Sequence, residues 1–316
     1  MDTLQQTSLD QVYQSEVVTG AHEQAQATAR STVAIAAGVV LALLLISAGK
    51  AKATLEHLQG SFSRRSDAGG AALTSSKGTG ALEGLTPRKQ AEKLLELAIG
   101  NEAGANEEIA RRADHWRSKI GWDSQLLALT TVALNSNDLC VRQSGLEVQL
   151  AAYGLARDAS TVDVLIQSAN SSAQAQKIWA LWALGAMANR GIETDRVEQV
   201  LVSHLKDSDQ DSRRWAVEGL ALVGTTATIA PLLQTMHDDP SPAVRERAAC
   251  SLAESGMLSH EQRLAAVPQL VNYTDDNALD SQTHAWAFQA LRDITKERLP
   301  NDSAAWRNWF ASARGE

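Results

Sequence analysis

The chain has 316 residues, 21% of them charged, and a formal net charge of -8. That length supplies one large domain or two ordinary ones with ample core to bury. The acidic balance removes the basic stripe that a sequence-independent nucleic-acid binder needs, so nucleic acid is not an expected partner.

Residues 1–30 read as a polar, acidic tail, with Asp2, Asp10, Glu16 and Glu23 set against Arg30 alone. From Ser31 to Gly49 no residue is charged, and Val39 to Ile46 is continuously apolar. A helix of that length reaches about 28 Å, close to the roughly 30 Å of a hydrocarbon core. Residues 31–49 are therefore expected to form a single transmembrane helix. A buried core helix fits less well, because Arg30 and Lys50 bracket the segment and no apolar element follows to cover it. A cleaved signal peptide is the rival reading, since Ala51-Lys52-Ala53 has the small-x-small form of a cleavage site. The long acidic stretch before the apolar run favours an uncleaved anchor. Lys50, Lys52, Arg64 and Arg65 flank its C-terminal side, a bias that keeps the C-terminal part in the cytoplasm. An extracytoplasmic placement is the alternative.

Residues 50–87 are rich in Gly, Ser, Thr and Ala and lack large apolar runs, so they read as a flexible tether. Pro87 then suits the first position of a helix that places Ala91, Leu94, Leu95 and Ile99 on one side. Residues 88–316 form the expected folded domain.

That domain repeats. DQDSRRWAVEGLALVG (209–224) aligns with SPAVRERAACSLAESG (241–256), pairing Arg213 with Arg245, Ala216 with Ala248, Leu220 with Leu252 and Gly224 with Gly256 at a constant separation of 32. Trp179 and Leu184 fit the same frame, as do Ala287 and Leu291, so the leucines recur at intervals of 36, 32 and 39. Periods of this size mark stacked helical pairs, none of which can bury its apolar face alone. Asp138, Asp209, Ser241 and Asp280 each stand four residues before Arg142, Arg213, Arg245 and His284, where their oxygens are expected to cap the second helix of each pair. Pro242 suits a first helical position, and Gly224 and Gly256 suit a left-handed helix end. The first helices are TVDVLIQSA, RVEQVLVSHL, TIAPLLQTM and AAVPQLVNY.

The pattern Val244-Arg245-Glu246-Arg247-Ala248 with Leu252 and Gly256 resembles the HEAT-repeat family, in particular the short HEAT repeats similar to those of phycobilin lyases. The resemblance covers about residues 124–298. Two copies depart from it: 139–154 has Gly145 in place of Ala, and 173–188 lacks the Val and the Arg. It implies an all-α fold, a HEAT-like α-solenoid of stacked helical pairs, and it admits an accessory enzyme of bilin-lyase type as an alternative function. Trp306, Trp309 and Phe310 share one side of a last helix, read as a terminal cap. Trp116 and Trp122 are expected to serve the other end. Six of the eight Trp follow residue 178, where they should mark packing seams.

No catalytic constellation emerges. HEAT-fold di-iron hydroxylases carry repeated His-Glu pairs, whereas the repeats here hold one, His260-Glu261. His237-Asp238-Asp239 reads as a polar turn. GGAALTSSKGTG lacks the phosphate-loop spacing. Cys140 and Cys250 stand far apart without a CxxC partner and are expected to be buried thiols. No residue is assigned a catalytic, cofactor-binding or metal-binding role, and no cofactor is expected. The acidic turns KDSDQDS, HDDPS and YTDDNALD fall along one edge, either as a solvated rim or as a surface for a basic partner. The expected function is a membrane-anchored scaffold or adaptor that holds a protein partner.

Overall fold

The computed structural model describes residues 82–314. The acidic tail, the expected transmembrane helix at 31–49 and the tether up to residue 81 lie outside the described residues. Among the described residues no helix is long and apolar enough to cross a membrane.

Fourteen helices make up the described chain, which has no strand. The first four are α1 (Pro87–Ile99), α2 (Ala105–Trp116), α3 (Ser124–Leu134) and α4 (Leu139–Ala152). Then follow α5 (Ala159–Ala169), α6 (Gln174–Asn189), α7 (Thr194–His204), α8 (Gln210–Val223), α9 (Ile229–Asp238) and α10 (Pro242–Ala253). The last are α11 (His260–Leu264), α12 (Val267–Tyr273), α13 (Ser281–Thr295) and α14 (Ser303–Arg314).

Local chemistry sets the helix starts. The free N–H groups of a first turn need acceptors. Asp138 accepts from Cys140 N at 2.8 Å, Asp209 from Ser212 N at 2.7 Å and Asp280 from Thr283 N at 2.8 Å. Ser241 departs from the expectation: it stands at the cap position of α10, but its side chain makes no capping bond. Asp239, two residues earlier, accepts from Ser241 N at 2.8 Å and orders the turn instead. Gly224 closes α8 with φ 71° as expected. Gly256, with φ 76°, lies beyond the end of α10, which stops at Ala253.

The second helices α6, α8, α10 and α13 pack in sequence as one row, and α5, α7, α9 and α12 cover them as a second row. The frame leucines Leu184, Leu220, Leu252 and Leu291 are all fully buried, as are Ala216, Ala248 and Ala287. In α6 every residue from Ala180 to Ala188 is buried, so this helix is covered all round. Its contact with α8 is backbone to backbone. A Cβ on Gly185 would stand 2.3 Å from Gly219 O, and one on Gly219 would stand 2.6 Å from Leu181 O. Larger residues at either place force the row apart. Gly256 makes a similar approach one repeat on, where Met257 N donates to Ala221 O at 2.8 Å.

The copy at 139–154 forms a helix, α4, but does not continue the row. It packs on α1, α2 and α3, and its backbone nears α6 at few places. These four helices share a separate core that includes Leu94, Leu95, Ile109, Trp116, Leu126, Val141 and Val148. The packed chain also begins earlier than the tether reading allows. Leu82 is buried, and Gln90 Nε2 donates to Leu82 O and Leu85 O at 3.0 Å each. Gln90 Oε1 accepts from Trp116 Nε1 at 3.2 Å, which fixes the amide in place.

Gly219→Ala is expected to cost at least about 1–3 kcal/mol by overpacking. Leu252→Ala should cost about 2–5 kcal/mol by leaving a cavity. Urea melts of both variants check this, and a Gly219→Ala midpoint equal to that of the parent would mean that the α6–α8 backbones do not touch.

Candidate functional site

A basic side chain recurs at one register position of the second helices, and in α6, α8 and α10 it ties one repeat to the next. In α8, Arg213 Nε lies 2.8 Å from Asp239 Oδ2 and Nη2 donates to Asp239 Oδ1 at 3.1 Å, while Nη1 donates back to Asp207 O at 3.0 Å. In α10, Arg245 Nη2 meets Asp280 Oδ2 at 2.5 Å, Nε donates to Thr283 Oγ1 at 3.0 Å, and Nη1 donates back to Asp239 O at 2.9 Å. Hydrogen bonding to Asp239 holds the Arg213 guanidinium above its ordinary pKa. In α13 His284 takes the position, with Nε2 2.9 Å from Asp276 O. In α6 the position belongs to Lys177, whose Nζ donates to Asp207 Oδ2 at 2.9 Å.

Lys177 escaped the sequence pattern because that copy has no arginine. The usable signal was its spacing of 36 from Arg213, equal to that of Leu184 from Leu220. The acidic turns thus spend much of their charge within the array. Asp207, Asp239 and Asp280 each face a basic residue of the preceding repeat.

His237 and Asp238 lie in the last turn of α9, whereas the sequence pattern put them with Asp239 in the turn between helices; only Asp239 lies past the helix, and His237 reaches across to the next turn. Its Nδ1 lies 2.5 Å from Asp238 Oδ1, its Nε2 lies 3.2 Å from Asp276 Oδ2, and its ring packs on Tyr273 at 5.1 Å. The hydrogen bond with Asp238, followed by that with Asp276, raises its pKa. His260 and Glu261 are both exposed on α11. Among the described residues no group of three or more His, Cys, Asp or Glu is arranged to hold a metal.

A second set of side chains joins α4 to the array. Arg142 is buried, donating to Ser136 O, to Glu254 O at 2.8 Å and to Gly256 O at 2.6 Å. Arg263, also buried, donates to Leu252 O at 2.8 Å, Ser255 O at 2.9 Å and Ser251 O at 3.0 Å. The two guanidiniums satisfy carbonyls that the end of α10 leaves open, where the helix dipole favours a cation. Desolvation lowers both pKa values, that of Arg263 to about 10. Glu147 is buried on the other side of α4 and pairs with Arg190 and, at 3.4 Å, with Arg157.

The aromatic seam centres on Tyr153, a residue that the sequence pattern did not single out. Its ring lies 5.2 Å from Trp122, 5.7 Å from Trp182 and 6.3 Å from Trp179. Burial pushes its phenol up to about 12. On α14 Trp306 is fully buried, donates from Nε1 to Pro300 O at 3.0 Å and packs on Trp309 at 5.6 Å. The cysteines overturn their expectation, since both are exposed. Cys140 opens α4 beside its cap, and on α10 the buried positions are taken by Ala248, Ala249 and Leu252.

Paired helices in two rows, joined by a recurring basic residue, define an all-helical repeat protein. Residues 198–292 match the family model for HEAT repeats, so the resemblance read from Val244 to Gly256 holds at the level of fold. Among solved structures, an engineered protein is 19% identical over 65% of this chain and 96% of its own, with a TM-score of 0.32. A designed armadillo repeat protein in complex with the peptide (KR)4 is 15% identical over 66% of this chain and 99% of its own, also at 0.32. A computationally designed armadillo repeat protein for modular peptide recognition is 14% identical over the same shares, again at 0.32. No curated protein matches the chain.

Asp239→Ala is expected to cost about 3–5 kcal/mol in urea melts because it strands the buried Arg213. Asp211→Ala, at an exposed position, should stay within about 0.5 kcal/mol. Equal effects would sink the ladder. His237 also makes stability depend on pH. With its pKa raised in the fold, its contribution is complete below the unfolded value of about 6.5 and fades as pH rises through the folded value. The stability lead of the parent over His237→Gln should therefore shrink as pH rises above about 6.5, and a constant lead would refute the charged link from His237 to Asp238 and Asp276.

Proposed function

We propose that the repeat array is a scaffold that holds a protein partner and is displayed from a membrane. The observation that carries this reading is the stack itself. Helical pairs placed side by side by Leu184, Leu220, Leu252 and Leu291 bury one another and offer their remaining faces as an extended surface. Helix-and-turn surfaces of this kind suit protein contact. The uncharged segment Ser31 to Gly49 supports the anchoring half of the reading, with residues 1–30 as a tail and the Gly/Ser-rich residues that follow as a tether. Lys50, Lys52, Arg64 and Arg65 favour a cytoplasmic array.

Membranes bearing the full chain should keep it through high salt and then alkaline carbonate, and deletion of 31–49 should release it. Protease added to closed cells should leave a C-terminal tag untouched, and tag release would place the array outside the cytoplasm. For the partner, a photo-crosslinking residue at the exposed Glu246 on α10 or at Ser203 near the end of α7 should give a discrete adduct in cells. Loss of the chain from carbonate-washed membranes would overturn the anchor, and background labelling alone from the array would overturn the scaffold.

A further inference from the structure

Nine buried side-chain nitrogen and oxygen atoms among the described residues have no hydrogen-bond partner. Four of them lie on residues that meet where α4 and its end face α6: Trp122 Nε1, Trp179 Nε1, Arg190 Nε and Glu147 Oε2. Three are donors and one, the Glu147 carboxylate oxygen, is an acceptor, so the seam holds both halves of bonds that it does not make. A buried polar group left without a partner opposes the closure that buries it. The α6–α8 contact is its opposite, closed at the backbone by Gly185 and Gly219.

Contacts that cross from α4 and the residue after it include Arg142 to Glu254 O and Gly256 O, Glu147 to Arg190, and Tyr153 to Trp179 and Trp182. On the near side α1 to α4 hold together through their own core. Arg157 belongs to that body, because Nε donates to Asp114 Oδ1 at 2.9 Å and Nη1 to Glu147 Oε1 at 3.4 Å. Asp158 belongs to the other, because it caps α5 by accepting from Thr161 N at 2.8 Å. The boundary between the two bodies therefore falls at one peptide link.

We propose that the α4–α6 seam is a hinged joint. Residues 82–157 move as one body about the Arg157–Asp158 link, and Arg142 and Glu147 latch the closed state. Opening exposes the four unpaired atoms and bares the Trp179 and Trp182 side of α6. Hinges of this type draw on regions whose opening free energy is far below that of the whole fold. The inference goes beyond the scaffold reading and does not depend on membrane anchoring.

The two cysteines of the chain report on it directly. Both are exposed, and they stand on opposite sides of the seam, Cys140 on α4 and Cys250 on α10. Spin labels on this pair in the full chain give a distance distribution, recorded for the parent, Arg142→Gln and Glu147→Gln. A control pair within the array uses Cys250 and Ser203→Cys in a Cys140→Ser background. Weakening a latch should raise the ratio of long to short Cys140–Cys250 distances about tenfold, the effect of losing one charged hydrogen bond, and leave the control pair unchanged. The proposal is overturned if both variants keep the parent distribution. It is equally overturned if the control pair broadens in step with the reporter in both, because the two bodies then loosen as one.

Discussion

The array depends on one arrangement: a basic side chain four residues past the helix cap that reaches forward to the acid of the next repeat, as Lys177, Arg213 and Arg245 do, with the two arginines also bonded backward to the carbonyls of their own turn. A solenoid has no closed core, so each helical pair is stable only in register with its neighbours. Apolar packing tolerates sliding, whereas a guanidinium that meets two oxygens of Asp239 does not. Arg213 and Arg245 therefore set the register that the buried leucines fill. Lys177 makes the same forward link with a single donor, Nζ to Asp207, and α6 relies more on the glycine contact with α8. Where the ladder stops, at Arg142, the stacking of α4 on α6 stops as well.

Much of this was readable from the sequence, and the failures are instructive. The recurrence of Leu184, Leu220, Leu252 and Leu291 located the buried row, since burial at a fixed register leaves a strong periodic trace. Asp138, Asp209 and Asp280 were recognisable as caps because capping is local chemistry. Ser241 misled because Asp239, two residues away, offered a better acceptor and also a partner for Arg213. Cys140 and Cys250 misled because average burial of a residue type says nothing about which side of a helix it occupies. Lys177 was obscured by a change of residue type at a conserved geometric position within the chain's own repeat.

Gln90 and Tyr153 left no trace of their roles, because both act over long range. Gln90 looks like any polar helix residue until Leu82, Leu85 and Trp116 converge on its amide. Tyr153 follows the last residue of α4 and gains meaning only when Trp122, Trp179 and Trp182 close around it. The copy at 139–154 was placed in the repeat by its pattern, and its helix exists. What the pattern did not carry is the direction in which α4 turns its faces, toward α2 and α3.

The anchoring of Leu82 has a mechanical side. A pull arriving through the chain from residue 81 does not load α1 at its first turn alone. It passes through the carbonyls of Leu82 and Leu85 into the Gln90 amide, and from there into Trp116 and α2. Two parallel hydrogen bonds then share the load near the point of attachment, so the first turn of α1 is shielded from peeling. The four-helix body works as a strain relief between whatever tugs on the chain and the repeats behind it.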